Sequence, residues 1–97
     1  MSEPLLSQLF DALRIWEKVE SGVLSEVLGP DSPVPATTDW CAGGISYYTR
    51  IENQEGLRVA RVHYLSCPDS GIRRFPSYMM VGDTRLFRVG HSEAAEA

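Results

Sequence analysis

Cys41 stands in the run Asp39-Trp40-Cys41-Ala42-Gly43-Gly44. A cysteine beside glycines has the parts of a nucleophile. The thiolate attacks, and backbone N–H groups left open by the glycines hold an oxyanion. His63 or His91 would act as the base. The competing reading is structural: Cys41 is a small buried hydrophobe in a Gly-rich lead-in to a strand. A lone cysteine needs a base beside it in space, so this reading is the stronger.

Cys41, His63, Cys67 and His91 also match the ligand types of a Cys2His2 zinc site. Their spacing does not. No close Cys pair or His pair forms a knuckle, and His63 and Cys67 stand about 13 Å apart on an extended chain. No metal is expected, and no motif for a cofactor stands out. Two cysteines are too sparse for a disulfide framework, so both are expected as reduced thiols.

The arginines are the third chemical signal. Residues 1–40 hold Arg14 and Lys18 against seven acids, a net charge of −5, whereas residues 41–90 hold seven arginines against four acids, a net +3. The basic half also carries Tyr47, Tyr48, Tyr64, Phe75, Tyr78 and Phe87. Arginines interleaved with aromatics on a sheet bind single-stranded RNA or DNA by phosphate contact and stacking. Against this, no RNP-type motif is present, and cross-strand Arg–Glu pairs with an acidic helix would neutralise the sheet. The acids should repel phosphate over about 8 Å at physiological salt. Nucleic-acid binding is therefore not the expected function. Trp16 reads as core. Trp40 reads as a plug in a helix–sheet cleft, with anchoring of a partner as the alternative.

These residues need elements to position them. Ser2 caps a helix whose first turn takes Glu3 and Pro4. Apolar residues then recur in steps of three and four through Leu5, Leu9, Leu13, Trp16, Val19, Val23 and Val27. This spacing predicts an amphipathic helix over 1–28, with a break near Gly22 and an end at Gly29-Pro30. Residues 29–44 read as a Pro/Gly-rich loop with a short extended piece around Val34–Trp40. Strands follow at 45–52, 57–66, 72–81 and 84–89, separated by turns at 53–56, 67–71 and Gly82-Asp83. Pro76 belongs at a strand start, a bulge or an edge. Residues 91–97 read as a loose tail. The fold class is α+β: one domain over 1–90, an N-terminal amphipathic helix packed on an antiparallel sheet of about four strands.

The 97 residues suffice for one modest core. No apolar segment follows a basic start, and no apolar run approaches the roughly 18 residues of a membrane span. Cytoplasmic residence without membrane contact is expected. Eight arginines against a single lysine read as the coding bias of a high-GC bacterium.

The strands place apolar groups on both faces. A helix about 10 Å wide cannot cover four strands at about 4.8 Å spacing, even on one face. The remainder would be a larger apolar patch than monomers usually expose. A two-fold homodimer is the common solution. The face expected in such an interface holds Tyr48, Val62, Tyr64, Tyr78, Met80 and Phe87. With no complete catalytic set, the sequence favours a non-enzymatic binding or adaptor module acting as a homodimer or on a protein partner. A catalytic or small-molecule cleft at Cys41, and nucleic-acid binding on the sheet, stand behind it.

Overall fold

The computed structural model describes residues 1–90. His91 and the tail at 91–97 lie outside the described residues. Helix α1 spans Glu3–Ala12. The Ser2 hydroxyl accepts the Leu5 N–H at 3.4 Å, satisfying one of the orphan donors of the first turn. Leu6 and Phe10, four residues apart, point into the core and are buried. The helix does not run on to residue 28. Arg14 adopts a left-handed conformation with φ 54°, which ends α1 and starts α2 at Ile15–Glu20. Gly22, with φ 84°, then turns the chain out of helix altogether.

The next residues form a strand, β1 (Ser25–Leu28), paired antiparallel to a later strand with Ser25 opposite Glu52 and Leu28 opposite Thr49. This corrects the helix expected over 1–28. Leu24, Val27 and Leu28 satisfy helical spacing, but four residues beside an open sheet edge gain ladder hydrogen bonds that outweigh a weak helical period.

The remaining strands are β2 (Val34–Pro35), β3 (Ile45–Glu52), β4 (Arg58–Cys67), β5 (Gly71–Val81) and β6 (Thr84–Phe87). Their order is β1–β3–β4–β5–β6, with β2 pairing the other end of β3. The expected turns are all present. Asn53 Oδ1 accepts the N–H groups of Glu55 (2.9 Å) and Leu57 (3.0 Å), closing the β3–β4 turn. Pro76 sits where the β4–β5 register shifts, at Arg61/Val62. The bulge relieves the ladder of a donor that proline lacks.

Both helices pack on one face of the sheet. Leu6, Phe10 and Ile15 meet Ile51, Ala60, Val62, Tyr64 and Met79, all buried. Leu13, Trp16 and Val19, expected as buried, border this core and are half-buried. No helix among the described residues is long and apolar enough to cross a membrane.

A second, smaller cluster lies at one end of the sheet. A short 3-10 helix, Asp39–Cys41, brings Cys41 against the end of β4, where Cys41 and Cys67 form a disulfide. Their Cα atoms are 5.1 Å apart, inside the range a disulfide spans. The expectation of two reduced thiols is thus overturned. A cysteine count sees frameworks, not a single pair brought together by a hairpin. Gly44 makes the approach possible. A Cβ there would collide with Cys41 Sγ and lie 2.6 Å from the Ser66 carbonyl oxygen.

Candidate functional site

The ladders decide which side chains share a face. Tyr48 pairs with His63, and His63 with Phe75. Tyr47 pairs with Tyr64, and Tyr64 with Arg74, on the opposite face beneath the helices. The six residues expected on one interface are therefore divided. Val62 and Tyr64 belong to the helix-covered core, whereas Tyr48, Tyr78, Met80 and Phe87 lie on the other face.

Beneath the helices, the Tyr64 hydroxyl donates to the Glu26 carboxylate at 3.0 and 3.2 Å. Its ring stacks on Tyr47 at 4.7 Å and meets the edge of Trp16 at 5.0 Å. Burial and the Glu26 carboxylate both push the Tyr64 hydroxyl above its ordinary pKa, so it stays protonated as a donor. This cluster is structural.

The face turned away from the helices carries a row of rings drawn from four elements. Tyr48 and His63 are parallel to within 2° at 4.3 Å. His63 and Phe75 follow at 6.3 Å, and Phe75 and Trp40 at 6.2 Å. The Arg73 guanidinium lies 4.7 Å from the Trp40 ring centre. Trp40 therefore does not plug the helix–sheet cleft. It closes the aromatic row on the far side of the sheet and is 48% exposed. Toward β6, Tyr78 is buried between Phe87 (5.6 Å) and the Arg85 guanidinium (5.2 Å).

At the Tyr48 end of the row is a cavity of about 260 Å³ between the Leu28–Pro30 turn and Tyr48, Arg50, Arg58 and Arg61. Local hydrogen bonds hold its wall. The Gly29 N–H donates to the Tyr48 carbonyl at 2.8 Å, and the Tyr48 N–H donates to the Ser32 hydroxyl at 2.7 Å. The Pro/Gly-rich segment thus braces the β3 edge. Arg50 and Arg61 lie directly opposite each other across β3 and β4. Like charges so placed repel. Two ladder irregularities flank them, at Ile51/Glu52 and at Arg61/Val62.

Ser46 is the residue that the sequence reading missed. Its hydroxyl is hydrogen-bonded to His63 Nε2 at 2.6 Å. Burial, and secondarily the positive charge of Arg88, push the His63 pKa below its ordinary value, so the ring is neutral near neutral pH. A serine and a neutral histidine in this contact resemble a nucleophile and its base. The charge acting on His63 is cationic, however, whereas an orienting carboxylate would stabilise the imidazolium that base catalysis forms. Alternation places Ser46, Tyr48 and His63 on one face only once the β3–β4 register is known.

Cys41 carries no free thiol, which removes the nucleophile that the sequence suggested. The same bond takes two of the four ligands from the Cys2His2 set. Among the described residues, no three of His, Cys, Asp and Glu converge on a point that could hold a metal ion. No family model, no curated protein and no solved structure matches this chain.

Proposed function

We propose that this chain is a non-enzymatic binding module that docks an anionic partner on the face of its sheet turned away from the helices. The observation that carries this reading is the division of labour between the two faces. One is sealed by α1 and α2; the other presents the row Tyr48–His63–Phe75–Trp40 beside Arg50, Arg58, Arg61 and Arg73. Aromatic groups and arginine are the residue types that dominate interface energetics.

Homodimerisation through this face is the weaker reading. A two-fold axis sets a patch against its own copy, so arginines would meet arginines. Two of the six apolar residues expected in such an interface, Val62 and Tyr64, are also spent in the core. Light scattering after size exclusion should therefore give a mass near 10.8 kDa.

The face itself is tested by NMR amide-shift mapping with a heparin hexasaccharide, a flexible polyanion. Shifts on β3, β4 and β5 support the reading. Shifts confined to α1 and α2, or none, refute it. The setting in which the module works bears on the disulfide. Cytoplasmic residence, expected from composition, suits the reduced chain, whereas the bonded form belongs to an oxidising compartment.

A further inference from the structure

We infer that the Cys41–Cys67 disulfide is a redox latch on a hinged loop. Closed, it seats Trp40 at the end of the ring row; reduced, it releases residues 37–43 and carries Trp40 off Phe75. The latch stands on its own geometry. Its control of anion binding rests on the reading of that face as the binding face.

The base of the loop is a fixed point. The Ala36 N–H donates to the Gly44 carbonyl at 3.0 Å. Beside it, Gly43 has φ 78°, a pivot that other residues rarely adopt. β2 ends at Pro35 and β3 begins at Ile45, so the ladder between them stops short of the loop. Among the described residues, the backbone hydrogen bonds of the loop itself stay local. The Cys41 N–H donates to the Thr38 carbonyl at 3.0 Å, and the Gly44 N–H to the Cys41 carbonyl at 2.9 Å. The tip is tied to the sheet by the disulfide to the end of β4 and by the Trp40 ring, which meets Phe75 at 6.2 Å and the Arg73 guanidinium at 4.7 Å. Ring contacts on a half-exposed tryptophan are weak against the conformational entropy of the loop. The covalent bond is what holds the tip down.

The latch is separate from the main core. Cys41, Leu65 and Cys67 form a cluster of their own, with Ala36 and Phe75 packed on it, and none of the five belongs to the core beneath the helices. The β4–β5 ladder, with Cys67 opposite Gly71 and His63 opposite Phe75, does not depend on the bond. Reduction therefore frees the corner and leaves the sheet standing.

The reductant is a dithiol. One of its thiolates bonds to Sγ of Cys67, which is 6% exposed against 1% for Cys41. The S–S bond breaks, and Cys41 leaves as a thiolate and takes a proton. The second thiolate of the reductant then displaces Cys67, which also leaves as a thiolate and takes a proton. Two electrons pass to the protein, and the reductant departs as a cyclic disulfide.

The full chain is compared by NMR before and after reduction with dithiothreitol, and as the Cys41→Ala, Cys67→Ala double variant. The oxidised chain should show nuclear Overhauser contacts between the Trp40 and Phe75 rings, with backbone order parameters of about 0.85 through 37–43. The reduced chain and the variant should lose those contacts, and the order parameters of the loop should fall below about 0.6. Amides at Leu6, Ala60 and Met79 should keep their shifts. Persistence of the Trp40–Phe75 contacts in both reduced forms would refute the latch. So would collapse of the core amides, which would make the disulfide a staple of the whole fold. Heparin hexasaccharide, added to both redox forms, should shift Arg73 and Phe75 less in the reduced chain and Tyr48 equally in both. Equal shifts at Arg73 would refute the control of binding. If heparin shifts neither form, the anion-binding reading falls, and the ring contacts alone decide the latch.

Discussion

Tyr48 and His63 face each other across β3 and β4 with rings parallel to within 2° and centres 4.3 Å apart, while the other end of the histidine is tied to the Ser46 hydroxyl. This contact links an exposed ring to a half-buried one and fixes the orientation of both. It also makes the ring row sensitive to protonation, because a charged imidazole here would sit partly desolvated and near Arg88.

The sign of that sensitivity follows from the depressed pKa of His63 in the folded chain. Above the unfolded value of 6.5 the ring is neutral in both states and stability is unaffected. Below it, the unfolded chain binds the proton first, so stability falls as pH drops from 6.5 through the lower folded pKa. Urea melts at pH 7.5 and 5 should show this loss, and His63→Asn should remove part of it. An equal loss in the variant would assign the pH dependence elsewhere.

Leu6 is fully buried, whereas Leu13 borders the core and is half-buried. Leu6→Ala should cost about 3–5 kcal/mol, in the upper range for an emptied leucine site. Leu13→Ala should cost less than half as much, since part of its surface is already in water. Denaturant melts of the two variants rank them directly.

The Cys41–Cys67 disulfide spans 26 residues of sequence. Its reduction should lower stability by about 3 kcal/mol, as expected for a loop of that order. Melts with and without dithiothreitol measure the difference, and alkylation followed by mass spectrometry should find no free thiol before reduction. Gly44→Ala should disturb the same corner, since its Cβ has no room beside Cys41 and Ser66.

Arg50→Thr should leave stability unchanged or raise it, despite removing the exposed contact to Glu52. The substitution removes a like-charge pair with Arg61 and places a β-branched residue in a strand. The benefit should grow as salt is lowered, because screening of the repulsion weakens. A variant clearly less stable than the parent at low salt would show that the Arg50–Arg61 pair is not repulsive in this setting.

The turns, the strand segments at 45–52 through 84–87 and the acidic helical start were legible because each had a local cause: Asn53 and Gly56, Gly82, the cap at Ser2. The break at Arg14 was not, because nothing in the type of that residue favours φ 54°. Residues 25–28 carried two periods at once, and only the neighbouring edge of β3 decided between them. The candidate site depended on register more than on composition. Tyr47 and Tyr48 are adjacent in sequence, yet one is part of the helix-covered layer and the other faces outward beside three arginines. Without the pairing of Tyr48 with His63, neither the ring row nor its contact with Ser46 can be assembled from the sequence.

The division of charge between the layers has a kinetic consequence. The helices carry Glu3, Asp11, Glu17 and Glu20, and the far side of the sheet carries Arg50, Arg58, Arg61 and Arg73. Among the described residues, acidic and basic side chains are thus set on opposite sides of the sheet, although the chain's net charge is −4. An approaching anion is repelled by the net charge at long range and drawn to the arginines as it nears, so that productive encounters favour that side of the sheet. Salt screens both effects, and it acts on the association rate more than on the lifetime of the complex, which is set by contacts already made.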